Sequence, residues 1–122
     1  MSSAKTGPGA ETVGLIGVGI MGTAMAKNMA DELGPSGINV NVVHPGLTRT
    51  ERTAPLVAAR AQALGLPAQE VQAQMAAGNS IQHLVDAAEV ADVVAFLCSP
   101  RARAINGDVI AAGGGAPRSI HY

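Results

Sequence analysis

The stretch Ile38-Asn39-Val40-Asn41-Val42-Val43-His44-Pro45-Gly46-Leu47-Thr48-Arg49-Thr50 decides the fold of this chain. Four of its first six residues are apolar and β-branched, which predicts a buried strand. Pro45 and Gly46 then predict a turn that ends the strand. The basic, hydroxyl-rich loop that follows is interpreted as one that faces a cofactor.

On both sides of this strand, the pattern of apolar and turn residues predicts alternating strands and helices. Asp86 followed by Glu89 indicates a capping-box start for a helix with apolar residues at helical spacing. Such alternation predicts an α/β class, here a partial Rossmann-like three-layer fold with a small parallel sheet of two or three strands and flanking helices. The predicted elements are strand Thr12–Val18, helix Met21–Glu32, strand Ile38–Val43, helices Arg52–Leu64, Ala68–Ala77 and Ala87–Cys98, and strand Asp108–Ala112.

A glycine fingerprint follows the first predicted strand. Gly17, Gly19 and Gly22 satisfy Gly-x-Gly-x-x-Gly, in which the glycines allow a tight turn and let a pyrophosphate approach the backbone. The amide groups at the start of the next helix would then face the phosphates. A second interpretation stays open, in which residues 10–33 form one long helix and the glycines are incidental.

Several segments together resemble the short-chain dehydrogenase/reductase family, over residues 27–116. They are Leu33-Gly34-Pro35-Ser36-Gly37-Ile38, the strand and loop quoted above, Glu89–Leu97, Ile105–Ile110 and Gly113-Gly114. The resemblance implies NAD(P)-dependent oxidoreduction of a small alcohol or carbonyl substrate. It also implies that Pro45, Gly46, Leu47 and Thr50 contact the cofactor, and that the chain forms a homo-oligomer.

The chain departs from this family at the proton-transfer pair, a tyrosine and a lysine four residues apart. Gap-free alignment places the tyrosine position on Leu15 and the lysine position on Gly19, and the only tyrosine is the terminal Tyr122. Ser3, or its neighbour Ser2, falls near the position of the family's active-site serine and is the one catalytic candidate.

Three functional hypotheses follow from this departure. The first is an oxidoreductase fragment that binds a dinucleotide but lacks the tyrosine and lysine. The second is a catalytically inactive remnant that acts as a folded or dimerising unit. The third is an active enzyme that takes its proton-transfer groups from another subunit or from an unrecognised residue.

Residues 12–29 also resemble, locally, the nucleotide-binding start of the 3-hydroxyacid dehydrogenases. An acidic residue that would hold the ribose hydroxyls about 20 positions after the fingerprint is missing, because Val42, Val43 and His44 stand there. Arg49 and Arg52 are the nearest charges and would suit a 2′-phosphate. The cofactor is therefore expected to be NADP or NAD, with NADP slightly favoured.

Composition limits the remaining function classes. A length of 122 residues and a hydrophobic content of 48% predict one partial Rossmann-like domain over residues 1–122 with an aliphatic core. A net charge of −1 without a basic stripe predicts no nucleic-acid partner and no membrane anchor. The single cysteine, Cys98, is typical of the reducing cytoplasm. The three histidines lack metal-ligand spacing, so no metal site is expected.

Overall fold

A computed structural model describes the backbone of residues 13–16 and 19–118 and the side chains of residues 21–118. Strands and helices alternate along the chain, so the predicted α/β class is confirmed. The elements are β1 (Val13–Ile16), α1 (Gly19–Leu33), β2 (Val40–His44), β3 (Thr48–Arg49), α2 (Thr53–Leu64), α3 (Ala68–Ala77), β4 (Val85–Asp86), α4 (Ala87–Leu97) and β5 (Val109–Ala111).

The larger sheet has three strands in the order β1-β2-β5. β1 pairs with β2 in parallel, from Val13 opposite Val40 to Ile16 opposite Val43. β5 lies on the other side of β2, and the hydrogen bonds between these strands join residues whose numbers rise together, as in a parallel pair. They include Val42 N to Asp108 O at 2.9 Å and Ala112 N to His44 O at 2.8 Å. The alternative interpretation of residues 10–33 as one helix is wrong, because Val13–Ile16 is a strand.

The chain divides into two compact units. Among the described residues, the first unit runs as far as Val43 and resumes over Val93–Ile110. The second unit comprises His44–Asp92 and the chain from Ala111 onward. The expectation of a single domain over residues 1–122 stays a prediction.

The core of the first unit lies between α1 and β2. Ala26 and Ala30 are one helical turn apart on α1, and both are buried against Val40 and Val42 of β2. Alanine at these positions lets the helix backbone come close to the sheet, while Met29, Leu33 and Ile38 pack around the contact. Val40 is fully buried, with 0% of its surface exposed.

Asn39 and Asn106 hold the segment before β5 against β2 in this unit. Asn39 Nδ2 donates to the carbonyl oxygens of Arg103 and Ile105, both at 2.9 Å. Asn106 Oδ1 accepts the Val40 N–H at 2.8 Å, and Asn106 Nδ2 donates to Ala30 O at 3.1 Å. Asn106 therefore ties α1 and β2 together through their backbones.

The second unit contains the α2–α3 helix pair. α2 ends at Leu64. Gly65, which follows it, has a φ of 64° in the left-handed region, and its N–H caps the carbonyl of Ala61. α3 spans Ala68–Ala77, as predicted. Among the apolar residues of this pair, Val71 is fully buried, but Leu56 and Leu64 are 53% and 51% exposed.

The predicted capping box at the start of α4 is confirmed. The Asp86 N–H donates to Glu89 Oε2 at 2.7 Å. The helix then places Val90, Val93, Val94 and Leu97 on its more buried side, and Leu97 is 9% exposed. The apolar spacing of the sequence therefore identified the packed face of α4 correctly.

Candidate functional site

The candidate site is the loop of residues 45–50, which leaves the sheet at the carboxyl end of β2, its middle strand. Gly46 has a φ of 61°, a left-handed conformation that favours glycine. The Thr48 hydroxyl donates to Pro45 O at 3.1 Å and closes the turn. Gly46, Leu47 and Thr50 are exposed, and 43% of Leu47 is accessible. The loop is therefore ordered by its own contacts while its tip stays open to a ligand.

Thr53 fixes the far end of this loop. Its side chain is 7% exposed, and its hydroxyl accepts the Thr50 N–H at 2.9 Å and donates to Thr48 O at 3.4 Å. The Thr53 N–H in turn donates to Thr50 O at 2.9 Å. This buried hydroxyl satisfies backbone groups where the loop enters α2, so it fixes the backbone of Thr50.

A two-stranded parallel ladder lies beside the loop. Thr48 and Arg49 of β3 pair with Val85 and Asp86 of β4. The Arg49 Nε lies 2.7 Å from Asp86 Oδ1. The guanidinium of Arg49 is therefore engaged with a carboxylate, and of the two arginines expected near a 2′-phosphate, Arg52 is the one for which no ion pair is found among the described residues.

Glu89 lies at the edge of this ladder and has a perturbed pKa. The Asp86 N–H, which donates to the carboxylate, is the main cause that lowers the pKa of Glu89 from its ordinary value of 4.5. Desolvation, the next cause in size, raises the pKa, while His83, whose Nε2 is 3.7 Å from Glu89 Oε1, and Arg49 lower it further. The ionised carboxylate is thus part of the cap that starts α4.

The other expected site residues lie on several elements of the chain. Gly19 begins α1 and Gly22 lies in its first turn, whereas Gly17 and the catalytic candidate Ser3 lie outside the described residues. Leu15, where the alignment put the family's tyrosine, lies in β1. His44 is exposed at the end of β2.

Neither a metal site nor a membrane-spanning helix is found in the part of the chain that the structure describes. No group of three or more His, Cys, Asp or Glu side chains is arranged to hold a metal ion there. In the same residues, no helix combines the length and the apolar character that a bilayer crossing requires.

Comparison with known proteins assigns the family. A family model described as enoyl-(acyl carrier protein) reductase matches residues 8–117. The NADPH-dependent reductase BacG of Bacillus subtilis is 34% identical over 95 residues, which are 78% of this chain and 37% of that protein. The short-chain type dehydrogenase/reductase y4mP of Sinorhizobium fredii is 36% identical over 97 residues, 80% of this chain and 34% of the relative. The chain belongs to the short-chain dehydrogenase/reductase family.

Solved structures of short-chain dehydrogenases/reductases agree with this assignment. The NADPH-dependent reductase YwfH, involved in bacilysin biosynthesis, matches with a TM-score of 0.67 and 33% identity, covering 80% of this chain and 37% of that one. L-sorbose reductase of Gluconobacter frateurii, solved with NADPH and L-sorbose, matches with a TM-score of 0.71 over 80% of this chain and 38% of that one. At 24% identity, the second match supports the fold alone.

The chain spans 37% of the length of BacG and 34% of the length of y4mP. The resemblance seen over residues 27–116 is confirmed, and the family model extends it towards the N-terminus. The local resemblance of residues 12–29 to the 3-hydroxyacid dehydrogenases stays a prediction.

Sequence reasoning missed two features of this short-chain dehydrogenase/reductase site. Two-residue strands such as β3 and β4 are too short to show alternation, so their ladder has no sequence signal. Thr53 stands three residues after Thr50 and is the first residue of α2, and this spacing of hydroxyl residues could have marked it as a loop anchor.

Proposed function

We propose that this chain supplies part of an NAD(P)-binding oxidoreductase domain, in which the loop of residues 45–50 contacts the dinucleotide. The observation that carries the proposal is the position of this loop at the carboxyl end of the middle strand of a parallel sheet, where open α/β sheets bind their ligands. The loop is ordered, yet Gly46, Leu47 and Thr50 remain accessible.

The residues of the loop fit a nicotinamide nucleotide. Gly46 has no side chain to keep a planar ring from the backbone, Leu47 offers apolar surface, and Thr50 offers a hydroxyl group. Pro45 stiffens the start of the turn. The dinucleotide, when bound, would supply the hydride, and these residues would bind and orient it. Gly17, Gly19 and Gly22 are proposed as further cofactor contacts, through the amide groups at the start of α1.

NADP is slightly favoured over NAD as the cofactor. BacG and YwfH, two relatives of this chain, are described as NADPH-dependent reductases, which supports the choice of NADP. Within the chain, the argument depends on Arg52, because the guanidinium of Arg49 faces Asp86. Arg52 is exposed and lies immediately before α2, where a cation could meet a 2′-phosphate.

The proposed substrate is a small alcohol or carbonyl compound, and this chain alone is expected to bind a dinucleotide without turnover. The proton-transfer chemistry of the family needs a tyrosine next to a lysine, and the sequence contains no Tyr-x-x-x-Lys segment. Ser3 is the remaining proposed catalytic residue. Turnover of a panel of ketones with NADPH or NADH by the purified chain would contradict this expectation.

A second candidate function is a catalytically inactive unit of this family that acts through its fold or by dimerising. The missing tyrosine and lysine favour it. It predicts no dinucleotide affinity and a melting temperature that rises with protein concentration. A homo-oligomer in the cytoplasm is proposed under either function, and the exposed free thiol of Cys98 agrees with a reducing compartment.

Calorimetric titration of the purified chain with NADPH and then NADH tests the proposal. We expect saturable binding at roughly micromolar concentration. Leu47→Ala and Thr50→Ala should each weaken it about tenfold, or ~1.4 kcal/mol. Leu64→Ala, which truncates an equally exposed apolar side chain on α2, should leave the affinity unchanged. A folded wild-type chain that releases no heat would refute the proposal.

The fingerprint glycines are tested separately with Gly19→Val. Gly19 is the first residue of α1, and a larger side chain there is expected to cover the amide groups at the start of the helix. We expect dinucleotide affinity to be lost while the helical circular dichroism signal is kept. Unchanged affinity would remove Gly17, Gly19 and Gly22 from the proposed cofactor contacts and leave the loop of residues 45–50 in place.

A further inference from the structure

We propose that Gly113 is a positioning residue for the cofactor loop of residues 45–50. Its backbone is in direct contact with Pro45 and Gly46 and holds them in place. Gly113 follows β5, and the inference depends on the proposed function because the loop it supports is the proposed dinucleotide contact. In the sequence, Gly113 and Gly114 are one of the segments that carry the family resemblance.

The contact between the two segments is made by backbone alone. A Cβ atom added to Gly113 would lie 2.9 Å from Gly46 Cα, 3.0 Å from Pro45 O and 3.1 Å from Gly46 N. In the reverse direction, a Cβ atom on Gly46 would lie 2.9 Å from Gly113 Cα. Carbon atoms in ordinary contact are about 3.5–4.0 Å apart, so there is no room for a methyl group on either side.

Space is the reason for glycine at position 113. Gly46, Gly114 and Gly115 have positive φ values, but Gly113 does not. An alanine at position 113 would therefore adopt the backbone conformation without strain, and its effect would come from the collision with Pro45 and Gly46. Because the three nearest atoms of Pro45 and Gly46 all belong to the backbone, no side-chain rotation can relieve that collision.

The position of Gly113 is fixed from both sides within the second unit. Before it, Ala112 N donates to His44 O at 2.8 Å, which joins the ends of β5 and β2. After it, Gly114 O and Gly115 O accept the N–H groups of Ile81 and Ser80 at 3.2 and 3.0 Å. The Ile81 side chain also lies against Gly114. Gly113 is thus held between a strand end and a turn, and the cofactor loop has a rigid support.

A methyl group at position 113 would have to displace the loop by about half an ångström to reach an ordinary contact distance. A binding site depends on placement at about this precision. We therefore expect Gly113→Ala to weaken NADPH binding about tenfold, even where the chain stays folded. The displacement should also weaken the hydrogen bonds that flank the loop.

The experiment compares Gly113→Ala with Gly65→Ala by melting temperature, NADPH titration and amide hydrogen exchange. Gly65 has a φ of 64° and no atom within 4 Å of an added Cβ, so its substitution destabilises the chain by backbone strain without touching the loop. Exchange is followed at the amide groups of Ala112 and Thr50, which donate to His44 O and to Thr53 Oγ1. Faster exchange and weaker binding in Gly113→Ala only, at similar losses of melting temperature, are the expected results.

Gly113→Ala with wild-type affinity and wild-type exchange would overturn the proposal. If the wild-type chain itself binds no NADPH, the proposed function fails, and exchange alone then decides whether Gly113 positions the loop. If Gly113→Ala does not fold, Ile81→Ala replaces it, because Ile81 is 49% exposed and supports Gly114 from outside the loop. Faster exchange at Ala112 in Ile81→Ala supports the proposal, and unchanged exchange contradicts it.

Discussion

Truncation of Val40 to alanine should destabilise the chain by an amount that the structure allows to be worked out. Val40 is 0% exposed and packs with Ala26, Ala30 and Val42 between α1 and β2. Val40→Ala removes two buried methyl groups, worth about 0.8 kcal/mol each in transfer from water. The cavity left behind adds to this loss, since β2 is held on both sides and cannot collapse inward. We expect a decrease of about 2–3 kcal/mol in the free energy of unfolding.

The assay is urea unfolding followed by far-ultraviolet circular dichroism, because the sequence contains no tryptophan. Val109→Ala is the matched control, since it removes the same methyl groups from the neighbouring strand β5, where Val109 is 48% exposed. The control should lose less than about 1 kcal/mol. In a thermal scan, Val40→Ala should melt roughly 10 °C below the wild-type chain.

A Val40→Ala chain that loses no more stability than Val109→Ala would refute this reasoning. It would mean that α1 does not cover β2 closely enough to exclude water. A change in the urea dependence of the free energy, rather than in the midpoint alone, would instead point to an altered unfolded state.

Three further predictions test other parts of the chain. Val71→Ala removes the fully buried valine of the second unit and should cost about 2–3 kcal/mol in unfolding free energy; one shared transition with Val40→Ala would support a single domain, and two separate calorimetric transitions would contradict it. Asn106→Ala removes the acceptor of the Val40 N–H and should cost about 1–3 kcal/mol, measured by urea unfolding; a loss below about 0.5 kcal/mol would mean that water replaces the side chain. Because the pKa of Glu89 is lowered on folding, its ionised form stabilises the chain above pH 4.5, and that contribution is lost as the pH falls through the folded pKa. Glu89→Gln should therefore lose less stability than wild type on acidification, and parallel pH profiles would contradict the assignment.

The boundaries of the helices could be predicted well from the sequence because each helix carries its own end signals. α3 spans Ala68–Ala77, as predicted, between Pro67 and Gly78. α2 ends at Leu64, before Gly65, whose left-handed φ closes the helix. Strand limits were less accurate, and the strand predicted over Ile38–Val43 spans Val40–His44, because a strand ends where its partner ends and the partner is remote in sequence.

In the second unit, the sequence predicts where the helices lie better than it predicts which of their apolar residues are buried. The apolar residues Leu56 and Leu64 are about half exposed, whereas the valines Val57 and Val71 are buried. Periodicity places apolar residues on a helix face, but which face meets another element is decided by packing. The same holds for Arg49, whose charge was visible in the sequence but whose pairing with Asp86 depends on the β3–β4 ladder.

The sequence by itself determined the α/β alternation, the helix limits, the strand that leads into the loop of residues 45–50 and the family to which the chain belongs. These features are local, because turn residues, caps and apolar periodicity act over a few neighbouring positions. The tertiary structure alone decided the contacts between distant segments. Asn106 accepts a hydrogen bond from Val40, 66 positions away, and Gly113 lies against Gly46 without space for a methyl group. Such contacts depend on the path of the whole backbone, and no short stretch of sequence records that path.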